Sequence, residues 1–247
     1  MKVLKYKKLK NNRYKVSLDD MELTLYEDVI LKYGLLIKKE IDPKDLDLIQ
    51  KDNTYYEVYY LALNSINARF KSVFDTKEYL RDKGYPYEMI DPVIEKLLQQ
   101  GYLNDTSFIK SFINNKMVTT NYGPRRIVKD LMEHRVDANI VSDEIEVFDA
   151  ELQYEKAEKL ANRFYKSNHT RGGSVLRQKI TNDLIQYGFD SDIVQKVLME
   201  FDFSNDSDLA KKEYDKLYRK LSRKYEGKEL EMKIKEKMYQ KGLKYEE

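Results

Sequence analysis

Apolar residues recur along most of this chain at the spacing of one helix face. Ile90, Val93, Ile94, Leu97 and Leu98 follow one another at intervals of three, one, three and one, and Gly101 closes the stretch. Pro92 is tolerable there because it lies in the first turns. Upstream, Thr54 stands three residues before Glu57 in a capping-box spacing, and Tyr59, Ala62, Leu63, Ile66 and Phe70 share a face, which predicts a helix opening at Thr54. Ser72 and Asp75 form a second such pair ahead of a short helix that carries Leu80 and ends near Gly84, a residue suited to a left-handed C-terminal position. The N-terminal stretch has a different period. Tyr14, Val16 and Leu18 alternate with Lys15 and Ser17, Asp19-Asp20 punctuates, and MELTLYEDVILKYG follows, which predicts two or three short strands. Asp42-Pro43 ahead of Lys44 to Gln50 predicts a linker helix.

The pattern repeats. KGYPYEMI at 83, HRVDANIV at 134, YGFDSDIV at 187 and KGLKYEE at 241 align at offsets of 51, 53 and 54. Three apolar columns come into register: Leu80 with Leu131, Leu184 and Met238; Tyr85 with Val136, Phe189 and Leu243; Ile90 with Val141 and Val194. Shared periodicity among Lys-rich amphipathic helices is the alternative, and three columns at once argue against it. The expected organisation is an N-terminal region of short strands plus linker helix (1–52), three-helix repeats at 53–104, 105–153 and 154–205, and an incomplete fourth at 206–247. A unit of about fifty residues cannot bury its apolar stripe alone. The expected fold is therefore mostly α, with tandem three-helix repeats stacked into an elongated, curved body beside a small β region. The fourth unit stops at Glu247, where its third helix would begin, so the chain is either naturally shortened there or cut.

Composition adds constraints. Charged residues make up 36% of the chain against 41% hydrophobic, with 21 Tyr and 9 Phe, too apolar and aromatic for a disordered chain. The absence of cysteine excludes disulfides, thiolate metal sites and a Cys nucleophile, and suits a cytoplasmic protein. No signal peptide or membrane-spanning run is expected. The net charge of +2 conceals segregation: residues 1–18 hold seven basic side chains and no acid, 110–129 hold five basic residues and 159–181 six, whereas Asp137 to Glu158 contains eight acids against Lys156 alone.

Gly101-Tyr102-Leu103-Asn104-Asp105 with Phe108 and Phe112, then Gly123-Pro124-Arg125-Arg126-Ile127 with Leu131, closely resemble the second-repeat signatures of the RecX family. Arg69-Phe70-Lys71-Ser72, ahead of Lys83-Gly84-Tyr85, is similar to that family's basic-x-basic-Ser/Thr stretch. The resemblance covers residues 55–150 well; it is looser in the third repeat, where Arg171-Gly172-Gly173-Ser174 replaces Tyr122-Gly123-Pro124. It implies a helical regulator that binds RecA, usually as its filament on DNA, and inhibits strand exchange, ATP hydrolysis and co-protease activity. It implies no catalytic residues, and no metal or cofactor is expected. The partners expected are RecA and DNA, directly or through RecA, with no membrane and a monomeric chain. The alternative is a stand-alone helical-repeat nucleic-acid-binding protein, which the acid-free basic blocks also suit.

The candidate binding residues follow from charge and helix geometry. Gly123-Pro124 starts a helix, so Arg125, Arg126 and Lys129 project from its N-terminus in one quadrant, while Ile127, Val128, Leu131 and Met132 fill the opposite arc. That quadrant suits DNA phosphate or an acidic strip of RecA; a solvated face partly neutralised by Glu133 is the simpler reading. Lys166, Arg171, Arg177 and Lys179 form a related corner, which either joins the first as a basic stripe or pairs internally with acids of neighbouring repeats. Arg69 and Lys71 terminate a helix, where capping competes with ligand contact. Asn104 or Asp105 is expected to cap the next helix. Tyr55, Tyr56, Tyr59 and Tyr60 are expected to pack rather than to stack bases. Enzyme signatures are missing: His134 and His169 stand alone, His169 in an exposed turn, and no phosphate loop is present.

Overall fold

The computed structural model describes residues 1–19, 21–168, 170–204 and 207–244. Asp20 of the punctuating pair, the turn histidine His169 and the expected start of a third helix at Glu247 lie outside them. The chain divides into two compact units, Met1–Phe108 and Ile109–Glu247.

In the first unit, β1 (Val3–Lys8), β2 (Arg13–Leu18) and β3 (Glu22–Tyr26) form an antiparallel sheet in that order. The alternation seen in sequence turns Val16 and Leu18 inward, where they join Leu25, Val29, Leu35 and Ile49. Two short helices, α1 (Glu27–Lys32) and α2 (Leu35–Lys38), cover this core. The Asp42 side chain accepts the Lys44 N–H at 3.0 Å and opens a 3-10 turn, Pro43–Asp45.

The helix that follows corrects the expectation at Thr54. α3 (Leu46–Ala68) is continuous: Thr54 sits inside it, its hydroxyl donating to the Gln50 carbonyl at 3.1 Å, and the predicted linker helix and first repeat helix are one. The polar residues that would favour a cap are engaged elsewhere. Asn53 Oδ1 accepts the Tyr26 N–H at 2.8 Å and its amide donates to Thr24, while Asp52 holds Lys32 and the Tyr33 hydroxyl. One helix thus serves both the sheet and the first bundle. Tyr60 stacks on Tyr26 at 5.1 Å, and Lys96 Nζ lies 5.3–5.8 Å from the ring centres of Tyr55, Tyr56 and Tyr59, so these tyrosines pack.

α4 (Val73–Asp82) opens with the complete Ser72/Asp75 capping box, and α5 (Tyr87–Gln99) follows with Pro92 inside it. Two apolar residues assigned to buried faces are exposed: Phe70 at 55%, because α3 ends at Ala68 and Arg69 is extended, and Leu98 at 44%, on the rim of the stripe that Leu97 centres. In the next helix, α6 (Asp105–Thr119), Asn104 is the cap, accepting the Ser107 N–H at 2.9 Å. Asp105 instead turns back to accept the Val73 N–H of α4 at 2.8 Å, and burial pushes its carboxyl above the usual range.

The second unit adds α7 (Pro124–Met132), α8 (Ala138–Glu144), α9 (Ala150–Lys166), α10 (Gly173–Gln186), α11 (Ser191–Leu198), α12 (Ser207–Leu221) and α13 (Gly227–Gln240). The architecture is mostly helical with a small N-terminal sheet. Across both units the aligned columns are core: Leu80, Leu131, Leu184 and Met238 are buried, as are Ile90, Val141 and Val194, and Val136, Phe189 and Leu243, with Tyr85 half-buried. Met132, expected on the packed arc of α7, is 41% exposed at its last turn. His134 packs across the Phe112 ring at 5.3 Å. Among the described residues, no helix is long and apolar enough to cross a membrane, and no cluster of His, Asp and Glu is arranged to hold a metal.

Adjacent leucines give a direct test of this packing. Leu97→Ala is expected to lower unfolding free energy by about 2–5 kcal/mol, and Leu98→Ala by under about 1 kcal/mol, read from urea melts by circular dichroism. Asp105 binds its proton more tightly folded than unfolded, so its contribution is fully present below the ordinary carboxylate range and lost as pH rises through the raised value. Asp105→Asn keeps an acceptor for Val73 without the buried charge; its urea midpoint should gain on the wild type as pH rises through that window.

Candidate partner-binding site

The first candidate corner is built by contact between two backbones. Gly123 N–H donates to the Tyr187 carbonyl at 2.8 Å, and Arg125 N–H to the Gly188 carbonyl at 3.1 Å. A Cβ on Gly123 would fall 2.4 Å from the Gly188 carbonyl, and one on Gly188 would fall 2.4 Å from Arg126 N. The α7 N-terminus therefore rests on the turn between α10 and α11, with the φ of Gly188 at +95°. The same junction recurs one repeat later. Gly172 N–H donates to the Lys241 carbonyl at 2.9 Å, and a Cβ on Gly242 would lie 2.2 Å from the Gly172 carbonyl.

This junction determines what the arginines do. Arg125 Nε pairs with Asp190 Oδ1 at 2.6 Å, and Asp190 is held from behind by Gln153, whose amide donates to Oδ2 at 3.1 Å and whose carbonyl oxygen accepts the Asp190 N–H at 3.4 Å. Gln153 is buried. Arg126 Nε pairs with Asp130 at 3.0 Å and lies over the Tyr122 ring at 5.4 Å, while Lys116 shares Asp130 at 3.3 Å. Lys129 is exposed and makes no ion pair among the described residues. The predicted quadrant thus holds one free cation and two arginines fixed in place by carboxylates.

In the second corner, Arg171 and Lys179 line a common cavity of about 260 Å³ with Phe164, Asn168 and Asp183. Asn168 fixes Arg171 through its backbone, accepting its N–H at 3.2 Å and donating to its carbonyl. Lys179 pairs with Asp183. Lys166, at the end of α9, and Arg177, on α10, are exposed and do not line that cavity. In the first unit, Arg69 follows the end of α3, and Lys71 lies 4.0 Å from the centre of the Tyr79 ring, where burial lowers its pKa. Three of the eight acids in the acidic segment have a structural role: Asp137 and Asp149 cap α8 and α9, and Glu144 pairs with Lys110 at 3.2 Å. Sequence reasoning passed over Asp190 and Gln153. The signal available was the position of Asp190, two residues after a turn glycine of the repeat.

Known proteins are similar in sequence to this chain over nearly its full length. The regulatory protein RecX of Staphylococcus haemolyticus is 27% identical over 99% of this chain and 94% of its own, and that of Listeria innocua is 27% identical over 95% and 88%. This chain is a homologue of the RecX regulatory proteins. No family model matches it. A crystal structure of a regulatory protein RecX shares the fold at 23% identity, with a TM-score of 0.68 over 81% of this chain and all of that one. RecX from Lactobacillus salivarius, 28% identical, aligns at a TM-score of 0.52 over 59% of this chain and 95% of its own. The sequence likeness to RecX therefore reaches the N-terminal sheet and the α12–α13 pair, well beyond residues 55–150.

Gly84 and Gly188 separate backbone conformation from contact, because their φ values are +92° and +95° but nothing lies within 4 Å of a Cβ at Gly84. Gly84→Ala is expected to cost about 1–2 kcal/mol. Gly188→Ala must also displace the Arg126 backbone, so it should cost more and raise hydrogen exchange at the Gly123 and Arg125 amides.

Proposed function

We propose that this protein regulates the RecA recombinase by binding its filament on DNA and lowering recombinase, ATPase and co-protease activity. The observation that carries the reading is the RecX likeness over nearly the whole chain, in proteins named as regulators. The helical repeat fold supports it. Segments 53–104, 105–153, 154–205 and 206–247 act as successive modules, each presenting a weak contact, so that modest affinities combine through effective concentration. Arg125, Arg126, Lys129, Lys166, Arg171, Arg177 and Lys179, with Arg69 and Lys71, supply the contacts to RecA or to DNA phosphate. The protein works as a monomer in the cytoplasm, without a catalytic step of its own. The absence of cysteine suits that compartment.

A second reading, nucleic-acid binding independent of RecA, is favoured by the exposed Lys129, Lys166 and Arg177, which carry no ion pair among the described residues. The two are separated by titrating the protein, well below the RecA concentration, into RecA hydrolysing ATP on single-stranded DNA, beside a DNA-only control at the same salt. The regulator reading expects ATPase to fall at substoichiometric protein, and Lys129→Glu/Arg177→Glu to weaken that inhibition about tenfold or more with the fold intact. Unchanged ATPase with tight, salt-sensitive DNA binding would favour the second reading.

A further inference from the structure

The strongest unassigned surface lies on α12. A groove on this helix and the turn after it is lined by Lys212, Asp215, Lys216, Arg219, Lys220 and Arg223, five cations and one acid. At about 100° per residue the five cations fall within an arc of about 100°, and Lys212 to Lys220 extend about 12 Å along the axis. Ala210, Glu213 and Leu217 occupy the adjoining, buried side. The charge asymmetry is built by the packing. Glu213, which would offset part of this charge, is 4% exposed and pairs with Lys241 after α13, reaching Lys216 only at 3.8 Å. Lys212, Arg219, Lys220 and Arg223 make no ion pair among the described residues.

We propose that this face of α12 binds the phosphodiester backbone of a nucleic acid, without reading its sequence. A continuous row of phosphates matches cations spaced four, three and four residues apart at Lys212, Lys216, Arg219 and Arg223, and the two arginines offer a bidentate fork to phosphate oxygens. A protein partner of ordinary affinity would need an apolar or aromatic anchor at the centre of its contact. Every side chain lining this groove is charged, so it offers none. Tyr218 projects from the helix outside the cationic arc, which leaves no ring there for stacking a base.

The proposal adds a DNA contact to the regulator reading but does not depend on it, because its test contains no RecA. The full chain is titrated into a labelled single-stranded oligonucleotide at several salt concentrations, followed by anisotropy. Lys212→Gln/Arg219→Gln/Arg223→Gln is compared with Lys228→Gln/Lys235→Gln/Lys237→Gln, an equal loss of charge from α13. The first variant should bind about tenfold to a hundredfold more weakly near 0.1 M salt, with its log–log salt slope shallower by about 2; the second should stay close to the wild type, and changing the oligonucleotide sequence should matter little. Equal losses in both variants, or none in the first, would overturn the proposal, as would tight binding to polyglutamate without binding to DNA. Acetylation footprinting of the unaltered protein covers poor folding of a variant: DNA should protect Lys212, Lys216 and Lys220 but not Lys235 and Lys237, and the absence of that contrast counts against the site.

Discussion

The contact of Gly123 with Gly188, and of Gly172 with Gly242, governs how the second unit is put together. At each junction a helix N-terminus meets the turn that ends a later helix, α10 in the first case and α13 in the second, at a distance that leaves no room for a Cβ. Backbone N–H groups at the start of α7 and at Gly172, which have no partner within their own helices, find carbonyls of that turn. The glycines do two things at once: those in the turns adopt positive φ, and both members of each pair permit the approach. Because the contact runs through backbone, it sets the position of whatever side chains follow. Arg125 and Arg126 come directly after the first junction, and their directions are consequences of it.

Electrostatics in this chain works by assignment of carboxylates rather than by net charge. Asp190 and Asp130 are committed to arginines, Asp137 and Asp149 to helix caps, Glu213 to a lysine beside the core. Each such commitment engages a carboxylate with a partner of its own and leaves other cations without a counter-ion. The outcome is a near-neutral protein with discrete cationic positions: Lys129, Lys166 and Arg177 near the repeat junctions, and the α12 row. Paired arginines are held in one orientation and suit a shaped contact, whereas the unpaired cations suit a counter-ion brought by a partner.

The first unit solves a different problem, joining a small sheet to a helical bundle. α3 does this by running unbroken from the sheet's core, where Ile49 is buried, to the bundle formed with α4 and α5, where Val58 and Ala62 are. Asp52 and Asn53 look like helix breakers in isolation, but their side chains are satisfied by Lys32, Tyr33, Tyr26 and Thr24 instead of by the local backbone. Asp105 works similarly, capping a helix other than the one it begins.

The helices of the first repeat, caps at Asp42, Ser72 and Asn104, and the three apolar columns were legible in the chain alone, because they depend on spacing within a few residues and on a period that repeats four times. So was the alternation of the N-terminal strands. The likeness to RecX was visible too, in short motifs whose glycines and prolines have local duties. What the sequence could not supply is anything that depends on a partner far along the chain. The start expected at Thr54 was lost to contacts with the sheet, Phe70 and Leu98 proved exposed because helix ends and neighbours decide the edge of a stripe, and Arg125 was tied to a carboxylate 65 residues away. The cationic face of α12 was passed over because the basic blocks singled out were acid-free ones, whereas Glu213 and Asp215 interrupt this one, and only packing turns Glu213 inward. Periodicity fixes which side of a helix is apolar; the tertiary structure alone decides which charges remain unpartnered, since pairing depends on distance in space rather than along the chain.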